Sequence, residues 1–131
     1  MSRIKDKINE IQKYLEELET ILPMNLEEYV RSIEKKAACE RYFEKIIESA
    51  NDLAYLIIKK ERFEIPEENK SFEVLFENKI ISKKVFLKLK NAKGMRNIIA
   101  HKYGDVDDEL IFESITEELI SDIEEFLNEL D

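Results

Sequence analysis

Between Pro23 and Pro66 the chain runs without a proline or a glycine. Either residue weakens a helix interior, proline by roughly 3 kcal/mol and glycine by roughly 1 kcal/mol relative to alanine. So long a stretch without them reads as one long helix or two in succession. The same scarcity holds throughout: 131 residues include only two glycines and two prolines. Tight turns are few, and no segment shows convincing strand alternation, an internal repeat or low complexity. The expected fold is an all-α, up-and-down bundle of four main helices plus one short helix.

Apolar spacing places the elements. Ile4, Ile8, Ile11, Leu15, Leu18 and Leu22 recur at intervals of three and four, giving a first helix from about Ser2 to Leu22 that Pro23 ends. Asn25 reads as the N-cap of the next, with Glu28 completing a capping box. That helix is expected to continue as a single spine from about Leu26 to Arg62, with Val30, Ile33, Ala37, Phe43, Ile46, Ile47, Ala50, Leu53, Ala54, Ile57 and Ile58 inward. The segment Glu64–Lys70 is a loop. Ser71 is expected to cap a short helix over about 72–78, and Ser82 one over about 83–102 that buries Phe86, Leu89, Ala92, Met95 and Ile99. Gly104 reads as its stop. Asp107 caps a last helix to about Leu130, with Leu110, Ile111, Ile115, Leu119, Ile123, Phe126 and Leu130 inward.

The length suits one domain, residues 1–131. The longest clean apolar run, Leu53–Ile58, is far short of the roughly 20 residues a membrane span needs. The first residues, MSRIKDKINEIQKYL, lack the apolar core of a signal peptide. A cytoplasmic protein is expected. The lone Cys39 reads as a small buried hydrophobe.

Charge is segregated. The formal net charge is −9, yet residues 78–104 hold eight of the 21 basic residues and none of the 30 acids. Such a strip either attracts a polyanion or neutralises an acidic neighbour within the fold. No phosphate-binding glycine loop is present, and one histidine with one cysteine does not make a zinc site. No cofactor or metal is expected.

The only histidine, His101, lies in this strip, in the segment RNIIAHKY. Arg96 precedes it by five residues, about 140° around a regular helix, so the two do not share a face. Asn97, four before, does share one and is a candidate to orient the imidazole. Histidine transfers protons near neutral pH, and arginine offers paired donors to a phosphate as charge builds. That chemistry suits RNA cleavage through the ribose 2′-hydroxyl. On spacing alone, a surface histidine beside an arginine near the helix end is the alternative.

Arg96-Asn97-x-x-x-His101-x-Tyr103 resembles the motif of HEPN-superfamily proteins, specifically HepT-like toxins. Its position near the end of a helix, after a long helix in an all-α chain of this length, is similar too. The resemblance implies a homodimeric, metal-independent endoribonuclease, the toxin of a toxin–antitoxin pair. Its motifs would face each other across a cleft. It implies catalytic Arg96 and His101 and a supporting Asn97; the basic strip offers Lys88, Lys90, Lys93 and Lys102 as RNA contacts. It also implies a minimal nucleotidyltransferase antitoxin that transfers AMP to Tyr103, placing negative charge and bulk where RNA phosphate would sit. The other reading within the resemblance is a non-catalytic helical dimer that docks that nucleotidyltransferase.

Overall fold

A computed structural model describes residues 2–67, 70–101 and 107–130. Helix α1 (Arg3–Ile21) buries Ile11, Leu15 and Leu18, as the spacing predicts, and Ser2 caps it by accepting the Lys5 N–H. Asn25 caps α2 (Leu26–Arg31) by accepting the Glu28 N–H at 2.9 Å, while the Glu28 carboxylate takes the Met24 N–H at 3.1 Å. The capping box thus forms one residue out of its usual register.

The expected spine from Leu26 to Arg62 is two helices. At Ser32 the backbone turns extended (φ −99°, ψ 105°), and its hydroxyl accepts the Lys35 N–H at 3.1 Å to start α3 (Ile33–Lys60). A serine hydroxyl offers the backbone an alternative to the helical bond. The break rotates the preceding residues off the predicted stripe. Val30, Ile33 and Ala37 are exposed, Ile33 at 83%, and the buried residue of α2 is Tyr29. Tyr29 donates to the buried Glu40 carboxylate at 3.2 Å, and burial foremost raises its phenol pKa. From Phe43 to Ile58 the predicted inward positions are buried. Cys39 is buried with its thiol pushed up to about 11, chiefly by desolvation.

Helix α4 (Ser71–Glu77) does not use Ser71 as its cap. That hydroxyl is buried and donates to Asn51 Oδ1 on α3 at 2.5 Å. Helices α3 and α4 both end in Schellman turns, with Phe63 N–H reaching Ile58 O and Ile80 N–H reaching Leu75 O. With so few glycines available, Arg62 and Lys79 take the left-handed positions at φ 59° and 62°.

Ser82 caps α5 (Lys83–His101), accepting the Val85 N–H at 3.2 Å. The expected stop at Gly104 lies outside the described residues. Asp107 caps α6 (Asp108–Glu113), which runs without interruption through a π-helical segment (Ser114–Leu119) into α7 (Ile120–Glu129). The sequence explains the π turns. Ile111, Ile115, Leu119 and Ile123 are spaced by four, and each such step overshoots an α turn by about 40°. Wider i→i+5 turns keep all four in the core, each at 1% exposure or less. Leu110, predicted inward, is half exposed.

Helix α3 runs through the middle of the bundle, against α1, α2, α4, α5 and the π-helical segment. The four main members are α1, α3, α5 and the α6–α7 run, with α2 and α4 the short ones. The Glu129 carboxylate accepts both the N–H and the hydroxyl of Ser82, at 2.7 and 2.8 Å, tying the start of α5 to the end of α7.

Candidate functional site

Helix α5 carries the strip, and its two halves face different neighbours. In the first half, Lys88 Nζ lies 3.0 Å from Glu125 and 3.5 Å from Asp122, and Lys84 lies 3.6 Å from Glu125. The hydrogen bond to Glu125 raises the Lys88 pKa, and Lys88 in turn holds the Glu125 carboxyl low. Asp122 shifts the other way because its burial outweighs the nearby ammonium. Lys88, expected on the RNA-facing strip, is thus engaged by α7. Lys90 is exposed.

In the second half, Lys93, Arg96 and Asn97 line one small pocket of ≈ 130 Å³ with Ile47, Glu48 and Asn51 of α3. Arg96 reaches across the helix pair: its Nη2 donates to Glu48 Oε1 at 2.7 Å and its Nη1 to Asn97 Oδ1 at 3.3 Å. Its Nε is buried and has no hydrogen-bond partner among the described residues. Lys93 is half-buried, with its ammonium 5.6 Å from the centre of the Phe72 ring on α4. Burial chiefly lowers its pKa; Glu73 opposes that and Arg96 adds to it. Asn97, expected to hold the imidazole, has its carbonyl oxygen engaged by Arg96. His101 is the last residue of α5 and is exposed. Lys102 and Tyr103 lie outside the described residues.

Glu48 and Asn51 escaped the sequence reading. They sit on a helix whose apolar stripe drew the attention, next to the buried Ile47 and Ala50. The available signal was two polar residues, three apart, bordering that stripe. Among the described residues, no group of three or more His, Cys, Asp or Glu is placed to hold a metal ion. No helix there is long and apolar enough to cross a membrane.

Comparison with known proteins identifies the family. Residues 11–130 match the family model described as ribonuclease HepT-like. The chain belongs to that family of HEPN proteins. It is 29% identical over 109 residues to a candidate RNase of Archaeoglobus fulgidus, spanning 81% of this chain and 82% of that one. It is 25% identical over 114 residues to the tRNA nuclease HepT of Aphanizomenon flos-aquae, spanning 86% and 78%. Its fold matches the tri-AMPylated HEPN toxin of Shewanella oneidensis, solved in complex with its MNT antitoxin. The TM-score is 0.89 at 20% identity, over 99% of this chain and 98% of that one.

Proposed function

We propose that this chain is a metal-independent endoribonuclease, the toxin of a toxin–antitoxin pair, formed by one domain over residues 1–131 and acting in the cytoplasm. The carrying observation is the Arg96-x4-His101 pair on α5 within a family match that spans residues 11–130. His101 moves a proton to or from the reacting oxygens, and Arg96 stabilises the phosphate as charge builds on it. Asn97 supports the pair, and Lys90, Lys93 and Lys102 draw in the RNA backbone. Lys88 contributes there only what its contacts with α7 leave. The antitoxin is a minimal nucleotidyltransferase that AMPylates Tyr103. The AMPylated toxin of Shewanella oneidensis, bound to its antitoxin, supports that part of the reading.

A homodimer belongs to the same reading. Leu87, Gly94 and Ile98 follow one face of α5 and are exposed, Leu87 at 44% and Ile98 at 42%. A side-chain carbon added at Gly94 would meet nothing within 4 Å. A face with two exposed aliphatic side chains and a glycine between them, shared with Asn91, suits close approach by a second copy.

RNA cleavage by the unmodified protein in EDTA, beside His101→Ala, tests the proposal. Cleavage that vanishes in the variant is expected. If neither protein cuts RNA, and intact mass excludes AMP on the wild type, the docking-module reading replaces it.

A further inference from the structure

We infer that Glu48, on α3, is the positioning residue for Arg96. The activity it serves rests on the ribonuclease reading; the tether itself does not. An arginine close to the end of a helix has a long side chain with many rotamers, and fixing it costs conformational entropy. Here three features restrict it. Glu48 Oε1 takes Nη2 at 2.7 Å, Asn97 Oδ1 takes Nη1 at 3.3 Å, and Nε is buried.

An ordinary surface ion pair between exposed side chains contributes little. This pair differs in two respects. It joins residues 48 apart on two packed helices, so the carboxylate is held by a different element from the one carrying the arginine. The Arg96 side chain is also set inward, to 29% exposure, with a buried N–H that costs free energy to leave unmatched. The fold places the guanidinium there against that cost, and Glu48 determines where its tip lies. Glu48 itself lies in a stable frame: Ile47 beside it is buried, and Asn51, one turn on, is bonded to Ser71 of α4.

The contact also sets Asn97. A guanidinium has only donors, so it selects the carbonyl side of the amide. The Asn97 NH2 is then the group left to face solvent, RNA or the helix end. Glu48, Arg96 and Asn97 form a row running carboxylate, guanidinium, carboxamide from α3 to the exposed side of α5. Arg96 keeps further N–H groups on both Nη atoms for a phosphate, because each of the two described bonds uses one.

The test uses the full chain with Glu48→Ala, Glu48→Gln and Glu48→Asp, and two readouts. The first, independent of cleavage, is NMR of the Arg96 guanidinium. Rotation about its Cζ–Nη bonds is expected to be slow in the wild type and faster in Glu48→Ala. The second is single-turnover cleavage with RNA affinity measured separately. Glu48→Ala is expected to lower the cleavage rate by about tenfold or more, the scale of a misplaced reacting group, while affinity changes less than about twofold. Glu48→Asp is expected to recover part of the rate and Glu48→Gln to fall between, which distinguishes positioning from general destabilisation. Wild-type guanidinium dynamics in Glu48→Ala overturn the inference, as does an unchanged cleavage rate. If the wild type does not cut RNA yet Glu48→Ala frees the guanidinium, the ribonuclease reading fails and the tether stands.

Discussion

Lys88 and Lys93 stand five residues apart on α5 and have opposite surroundings. Lys88 points to the acids of α7 and its ammonium is stabilised by them, raising its pKa. Lys93 lines the pocket between α3 and α5, with the Phe72 ring of α4 near its ammonium, and desolvation lowers its pKa. In the sequence they belong to one acid-free strip. In the fold, the first part of the strip is an internal counter-charge for α7. The second gathers with Arg96 around a pocket. A run of basic residues is therefore not one electrostatic object, and local acid content says little about acids that arrive from elsewhere in the chain.

The sharpest way to break this contrast is to remove one cation from each half. Arg96→Ala is expected to lower RNA cleavage by roughly 10²–10³-fold, the scale for losing a donor to a developing oxyanion. Lys84→Ala, which removes a contact with Glu125, is expected to leave the single-turnover rate within about twofold. A smaller effect is expected on affinity. Lys93→Met keeps an apolar stem over Phe72 and removes the charge. It should weaken RNA binding severalfold and make the salt dependence shallower by about one phosphate contact. Lys88→Met should change that slope less. Titrating RNA binding at several salt concentrations checks both.

The smallest effect concerns pH. The Glu125 carboxyl is held below its usual 4.5, mainly by the Lys88 hydrogen bond. A depressed carboxylate adds stability above its unfolded pKa, and that stability is lost as pH falls through the folded value. The melting temperature should therefore drop on acidification below about pH 4.5, and Glu125→Gln should flatten part of that drop. Thermal melts between pH 3 and 7 measure it.

What the sequence made legible was local. The stripe of α1, the caps at Asn25, Ser82 and Asp107, and the core positions from Phe43 to Ile58 all depend on neighbours within a few residues. The break at Ser32 was hidden because apolar residues continue across it at helical intervals and no Glu follows three residues later to complete a capping box. Ser71 carried a cap's identity but was drawn to Asn51, a partner 20 residues away. Near the motif, residue identities placed Lys93, Arg96 and Asn97 on one helix, and the fold adds Glu48 and Asn51 around them. Spacing along α3 marks those two only as polar residues beside the stripe; their contact with α5 is made between helices.

Counted in residues rather than in bonds, the π-helical run is a length device. An α-helix would cover the same rise with about one residue fewer. On either side of it, Asp108 meets Lys36 at 2.7 Å, and Glu125 and Glu129 grip Lys88 and Ser82. Deleting a single residue between 114 and 119 would let the segment close up as ordinary α-helix, with nearly the same rise and rotation between its ends. Both grips are then expected to hold. A segment that looks like plain helix is thus a place where the chain carries one residue more than its end-to-end geometry requires.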